Sequence, residues 1–198
     1  MKAIAYTRFV GEVSTMRTCG VEGIVPIIDS HLPVNSDLDR AWYAMPVGTS
    51  LWDARRGASL SVIVADFLTL AETLSQLHDK GIFHRDLKPT NLLLMEGKPK
   101  LADFGLAQFP KKPDLTRSKE DLGPRWTIAP EVRRGDRRNP RRADIYSLAK
   151  TLWMFITRNE QGFEGQYHSE GALAIGPHWP KDYALNHAHY VKGHPKKT

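Results

Sequence analysis

The stretch HRDLKPTN occupies residues 84–91 of this 198-residue chain. Asp86, Lys88 and Asn91 place a carboxylate, a cation and an amide in one short loop. Directly after it, the apolar run LLLM at 92–95 predicts a short strand, and the turn EGKP leads to a second strand, KLA at 100–102. A single charged loop residue is usually solvated surface, so the interpretation of this stretch depends on what surrounds it.

Two predicted helices and one long polar segment surround the loop. Before it, apolar residues recur at helical spacing and Gly81 follows as a C-cap, which predicts a helix over 60–80. Its predicted apolar face consists of Leu60, Val64, Phe67, Ala71, Leu74 and Leu77. The stretch ADIYSLAKTLWMFIT at 143–157 is apolar almost all round, which predicts a buried helix. Between the loop and that helix, residues 103–131 show no clear period, and loops of that length are usually functional.

The N-terminal region predicts one helix and two strands. Phe9, Val13 and Met16 share one face of a helix over residues 3–17. The segments GIVPIID at 23–29 and AWYAMPV at 41–47 are rich in β-branched and aromatic residues, so each predicts a strand.

Composition excludes several classes of protein. Lys and Arg number 28 against 22 Asp and Glu, and the net charge of +6 falls short of what a dedicated nucleic-acid binder carries. The single cysteine excludes an intramolecular disulfide and favours a reducing compartment. Asp66 and Lys150 interrupt the longest apolar runs, and Arg8 and Glu12 interrupt the N-terminal one. We therefore expect a cytoplasmic protein with no membrane span, no signal peptide and no nucleic-acid partner.

Two further motifs follow the loop at fixed positions. DFG at 103–105 comes after the second short strand, and APE at 129–131 comes after the long polar segment. Each three-residue match is weak alone. Their order and spacing, with Glu12 on the helix ahead and Asp144 on the buried helix behind, resemble the eukaryotic-type serine/threonine protein kinase domain.

This resemblance implies an α+β fold and a transferase. Residues 1–47 would be a remnant of the small β lobe, residues 48–165 the mostly helical large lobe, and residues 166–198 a divergent tail. The implied reaction transfers the γ-phosphate of ATP to a serine or threonine hydroxyl of a protein substrate.

The resemblance also assigns catalytic and metal-binding roles. Phosphoryl transfer depends on positioning and on charge neutralisation more than on covalent chemistry. Asp86 would lie beside the attacking hydroxyl, and Lys88 would place a cation near the transferring phosphoryl group. Asn91 and Asp103 would supply the oxygen ligands for Mg²⁺.

For the nucleotide, residues 43–48 resemble the hinge between the two lobes. Met45 would lie at the inner end of the hinge, and the Val47 backbone would pair with adenine. Leu93 would form the floor under the base, although an apolar residue there is equally compatible with core packing. Arg85 and Asp144 match family positions that order the activation loop and bind the backbone of the catalytic loop.

The chain also departs from the family pattern. No G-x-G-x-x-G motif and no lysine-bearing strand precede Glu12, which in the family pairs with that lysine. We therefore expect a domain truncated at both ends, Glu12 without its partner, and weak or absent phosphate transfer. The alternative function is a catalytically silent, pseudokinase-like remnant that binds a protein partner. We also expect the apolar face of the first helix to be uncovered and to promote self-association.

Overall fold

The computed structural model describes residues 2–34, 40–110 and 126–160. All of them belong to the first of two compact units, Met1–Gly162. The second unit, Phe163–Thr198, lies outside the described residues, and so does the whole tail expected from the sequence at 166–198.

The described residues form five α-helices, one short 3-10 helix (Pro89–Asn91) and five strands. The helices are α1 (Lys2–Thr18), α2 (Leu51–Ala54), α3 (Leu60–Asp79), α4 (Pro130–Arg133) and α5 (Pro140–Thr157). The strands are β1 (Asp29–His31), β2 (Trp42–Ala44), β3 (Thr49–Ser50), β4 (Leu92–Met95) and β5 (Lys98–Leu101). Long helices together with short antiparallel strands confirm the α+β class.

The strands form two antiparallel sheets. β1 pairs with β2, with Ser30 opposite Tyr43. The second sheet has the order β3-β4-β5, and Leu93 on its central strand lies opposite Ser50 on one side and Lys100 on the other. Glu96 and Gly97 form the two-residue loop between β4 and β5 with φ of 50° and 76°. Positive φ at both positions matches the twist of a tight hairpin.

The predicted strand over 23–29 is wrong. Pro26 has no N–H to donate, and a proline is poorly tolerated inside a sheet. Ile24 makes one isolated parallel bridge to Leu101, and the regular strand begins only at Asp29. The second predicted strand, 41–47, is shortened to Trp42–Ala44, two residues before another proline.

α1 confirms the predicted helix, but its apolar face is covered. Val13 and Met16 are buried, and Met16 belongs to the same buried apolar cluster as Leu101 of β5. The Phe9 ring stacks on the Tyr43 ring of β2 at a centroid distance of 5.5 Å. The expectation that this face is exposed is therefore wrong, because β2 and the main core cover it.

α3 is the central helix of the core. It packs against α5 and β5, and the Phe67 ring meets the Phe155 ring edge-on at 5.1 Å. Leu74 and Leu77 are buried as predicted, whereas Leu60 and Val64 are exposed and Ile63 and Leu70 are buried in their place. The first half of α3 is apolar on most sides, so its periodicity did not distinguish the buried face.

Among the described residues, α3 is also the one helix long and apolar enough to cross a membrane. Only its length and its composition indicate a membrane span, and core helices of soluble proteins share both properties. Here its buried face packs against α5 and β5.

Candidate active site

Asp144 of α5 binds the backbone of the loop at 84–91. Asp144 accepts the His84 N–H at 2.8 Å and the Arg85 N–H at 2.7 Å, one on each carboxylate oxygen. His78, near the end of α3, contacts the same carboxylate at 2.9 Å. Arg85 has φ of +67°, a strained conformation for a residue with a side chain. The role expected of Asp144 is confirmed: it anchors the strained loop backbone.

His84 has a structural position. Its Nδ1 accepts the Asp86 N–H at 3.3 Å, so the proton lies on Nε2, which then donates to the Ala102 carbonyl at 3.1 Å. The fully buried imidazole lies 4.7 Å from the Phe104 ring. With both ring nitrogens occupied, His84 links the loop to the DFG segment and is not available as a base.

The Asp86 carboxylate accepts hydrogen bonds from a basic and a polar side chain of the same loop. Lys88 Nζ donates to Asp86 Oδ2 at 2.7 Å, and Asn91 Nδ2 donates to the same oxygen at 3.0 Å. Asn91 Nδ2 also donates to the Asp86 carbonyl at 2.8 Å. Asp86 itself is buried. These bonds hold one carboxylate oxygen in place at the centre of the loop.

Asn91 and Asp103 lie at the ends of adjacent segments. The Ala102 N–H donates to the Asn91 carbonyl at 2.9 Å, so the residue before Asp103 is bonded directly to Asn91. The Asn91 amide nitrogen is committed to Asp86, which leaves its Oδ1 for a ligand, with the Thr90 hydroxyl at 3.3 Å. Asp103 is exposed and has φ of +64°.

These two residues fit a Mg²⁺ ion in chemical type. Both supply hard oxygen donors, and Mg²⁺ in phosphate-handling sites takes one or two protein oxygens while keeping water and phosphate ligands. No cluster of three or more His, Cys, Asp or Glu that could hold a metal occurs within residues 2–34, 40–110 and 126–160. The donor set therefore suits an ion that arrives with a nucleotide.

Glu12 of α1 contacts the DFG segment at 103–105. Its Oε1 accepts the Tyr43 hydroxyl at 3.0 Å and the Phe104 N–H at 3.3 Å. Burial raises the pKa of Glu12, the two hydrogen bonds oppose that rise, and the Asp103 carboxylate adds to it. Burial and the neighbouring Glu12 also raise the pKa of Tyr43. Within the described residues, tyrosine and backbone donors thus occupy the position where the resemblance implies a lysine.

The three residues expected to contact the nucleotide lie on or beside the short sheets. Met45 is 43% exposed and the Val47 side chain is fully exposed. The residue of this segment that points inward to Glu12 is Tyr43 rather than Met45. Leu93, on β4, is partly buried and packs against the core. A Cβ on Gly48 would lie 3.1 Å from Leu93 atoms, so Gly48 allows the hinge to approach Leu93 closely.

Sequence reasoning missed Tyr43 and His78 as members of this site. Tyr43 is a single aromatic residue in a short strand, a common feature of any half-buried sheet. His78 lies on the buried face of α3, where a lone histidine carries no signal of its partner. Only the distance in space between each residue and its acceptor identifies them.

Comparison with known proteins agrees with this geometry. A protein kinase domain model matches residues 2–175. The chain belongs to the protein kinase family. It is 35% identical over 155 residues to the DNA damage-responsive serine/threonine-protein kinase RqkA of Deinococcus radiodurans, covering 74% of this chain and 23% of that protein.

Two further relatives come from a bacterium and a mammal. Serine/threonine-protein kinase PkaA of Streptomyces coelicolor is 37% identical over 109 residues, covering 52% of this kinase chain and 20% of that protein. The proto-oncogene serine/threonine-protein kinase mos of Rattus norvegicus is 35% identical over 130 residues, covering 63% and 38%. This kinase chain thus spans well under half the length of these relatives. Members of the family generally use ATP and Mg²⁺ and act on proteins.

Proposed function

We propose that this kinase chain binds Mg²⁺ and ATP and transfers the γ-phosphate to a serine or threonine hydroxyl of a protein, with weak activity for the 198-residue chain on its own. The observation that carries the proposal is the fixed carboxylate of Asp86, bonded by Lys88 at 2.7 Å and by Asn91 at 3.0 Å. Residues 1–47 would contribute the small-lobe part and residues 48–165 the large-lobe part.

In the proposed reaction, Asp86 orients the substrate hydroxyl and accepts its proton. The hydroxyl oxygen forms a bond to the γ-phosphorus while the bond from phosphorus to the β-γ bridging oxygen breaks, and ADP leaves. Lys88, whose Nζ contacts Asp86, stabilises the negative charge on the transferring group. The Mg²⁺ held by Asn91 and Asp103 would neutralise phosphate charge.

The adenine end of the proposed site consists of the hinge segment and Leu93. Met45 and Val47 are exposed, and Leu93 lies close to Gly48. We assign these three residues to the nucleotide because residues 43–48 resemble the hinge of the family and Gly48 brings that segment close to Leu93. Calorimetry with ATP tests them through Leu93→Asn, which should weaken binding without abolishing its Mg²⁺ dependence.

The test of function uses the 198-residue chain with radiolabelled ATP, Mg²⁺ and a mixture of protein acceptors. Asp86→Asn should lower phosphate transfer by about 10² to 10⁴-fold, the usual contribution of a general base. Asp79→Asn, an exposed carboxylate that pairs with Arg141 at 3.0 Å, is the matched control and should keep full activity. Phosphoamino-acid analysis should show serine and threonine. Mg²⁺-dependent ATP binding without any transfer would instead support the catalytically silent, partner-binding alternative.

A further inference from the structure

A cavity of about 420 Å³ lies directly beside the catalytic loop. Lys88, Pro89 and Thr90 form one of its sides. Because Lys88 Nζ contacts Asp86 Oδ2 at 2.7 Å, the cavity begins one side chain away from the carboxylate that receives the hydroxyl in the proposed function. A substrate segment with its hydroxyl at Asp86 therefore has neighbouring residues over this cavity.

The described walls of the cavity are largely apolar. Trp52 follows β3 on α2, Trp126 precedes α4, and Met154 lies on α5, so three separate elements contribute. Met154 is buried. Volumes of this size with apolar walls are typical of sites that take up a ligand group.

The contacts around the cavity show that it is preformed. The Trp52 ring meets Phe155 edge-on at 5.0 Å, and the Arg158 guanidinium lies 5.5 Å from the Trp52 ring centroid. On the other side, Thr127 Oγ1 donates to the Leu87 carbonyl at 2.7 Å, and Ser147 Oγ donates to the Thr127 carbonyl at 2.8 Å. Walls held in this way need little ordering when a ligand enters, which lowers the entropic cost of binding.

The charged residues around the cavity indicate which type of ligand group it accepts. Asp53 and Glu160 are exposed carboxylates on the lining, and they disfavour an acidic group. Arg158 lies against Trp52, and Lys88 borders the opposite side of the cavity. These two cations disfavour a basic ligand group. Trp126 and Met154 offer an entering side chain dispersion contact and desolvation rather than an ion pair.

We propose that this cavity receives one apolar side chain of the protein substrate, such as Leu, Met or Phe, within a few residues of the phosphorylated serine or threonine. The inference rests on the proposed function for the identity of the ligand as a protein substrate. It makes Met154 and Trp126 specificity-determining residues, separate from the groups that handle phosphate.

The test uses the full chain labelled with 5-fluorotryptophan and ¹⁹F NMR. Each peptide of a soluble set contains one serine and one leucine, and the leucine moves from four positions before the serine to four positions after it. Leucine in one or two registers should shift the Trp52 and Trp126 resonances and leave Trp42 and Trp153 unchanged, because neither of the latter lines the cavity. Replacing that leucine with glutamine should remove the shifts, and this comparison needs no protein variant.

A pair of variants then tests the wall. Met154→Gln keeps the length of the side chain but makes it polar, and it should weaken binding of the leucine peptide by about tenfold, the equivalent of 1.4 kcal/mol. Met154→Leu is the matched control and should bind as the parent does.

Phosphorylation of the same peptides separates this inference from the proposed function. Shifts without phosphate transfer would support the pocket and contradict the function. Transfer at equal rates from every register, with no shift at Trp52 or Trp126, would overturn the pocket and leave the function standing. Stronger shifts with arginine than with leucine would also overturn the apolar assignment.

Discussion

Tyr43 binds the buried carboxylate of Glu12. Its hydroxyl donates to Glu12 Oε1 at 3.0 Å, and the ring stacks on Phe9. Tyr43→Phe keeps the stacking and removes the hydrogen bond, so we expect a loss of about 1.5 to 3 kcal/mol of unfolding free energy at pH 7, the range for bonds to charged groups. Urea denaturation measures it. The loss should shrink at pH 4, where Glu12 is protonated, and an equal loss at both pH values would contradict the assignment.

Glu12 itself should make stability depend on pH. Burial raises its pKa in the folded chain above the ordinary value of 4.5, so the folded state binds more protons than the unfolded state between those two values. Stability from this group is present below pH 4.5 and is lost as pH rises through the folded pKa. Glu12→Gln keeps an acceptor oxygen and lacks this loss. The free-energy difference between variant and parent should therefore move in favour of the variant from pH 4 to pH 7, and a flat difference would contradict the burial effect.

Lys150 on α5 should act in the opposite direction. Burial, helped by Arg133, lowers its pKa from 10.5 to about 8. Between those values the unfolded chain binds more protons, so stability should rise with pH. Lys150→Met should be more stable than the parent by about 1 to 3 kcal/mol at pH 7, with the advantage shrinking toward pH 9.5. Thermal melts over this range measure it, with the exposed Lys98→Met on β5 as the control for loss of a lysine.

At the scale of elements, one ion pair connects α2 to α3. Arg55 Nε contacts Asp66 Oδ2 at 2.5 Å and Arg55 Nη2 contacts Asp66 Oδ1 at 3.1 Å, and the Asp66 side chain is only 9% exposed. Arg55→Met leaves a buried carboxylate without its partner, so we expect a loss of about 2 to 4 kcal/mol.

The double variant Arg55→Met with Asp66→Leu is the informative comparison. It removes both charges, and apolar replacement of a buried pair is often neutral. We expect it to be more stable than Arg55→Met alone, measured by urea denaturation as a double-mutant cycle. A double variant that loses the full sum of both single variants would show that Arg55 and Asp66 do not stabilise each other.

At the scale of the whole molecule, one apolar cluster among the described residues connects α1 to α5. It contains Met16 of α1, Leu70 of α3 and Phe155 of α5. Met16→Ala should therefore cost about 2 to 5 kcal/mol and lower the melting temperature of the whole unit in one transition. Circular dichroism and tryptophan fluorescence should report the same midpoint. Val34→Ala, at a fully exposed position, is the control and should change little.

Separate transitions for Met16→Ala would show that α1 melts independently of α3 and α5. In that case the covering of Val13 and Met16 would be local to the N-terminal region. The original expectation of self-association through this helix would then regain support.

Local pattern alone determined the long elements and the order of the motifs. The sequence predicts α3 and α5 within a few residues of their ends, because helical periodicity with a following glycine marks α3 and a continuous apolar stretch marks α5, and both signals are local. The loop at 84–91 and DFG at 103–105 were found by spacing along the chain. The predicted set of Asp86, Lys88 and Asn91 is close in sequence, and the structure brings these side chains into direct contact.

Only the tertiary structure decided which groups are buried and what they bind. Glu12 meets Tyr43, 31 residues away, and Phe104, 92 residues away, and no local pattern contains such pairs. The buried face of α3 was misjudged because its first half is apolar on most sides, so packing against α5 and β5 selected Ile63 and Leu70 over Leu60 and Val64. Periodicity along the chain reports how apolar residues repeat. Burial depends on which distant element covers them, and that is settled only when the chain folds.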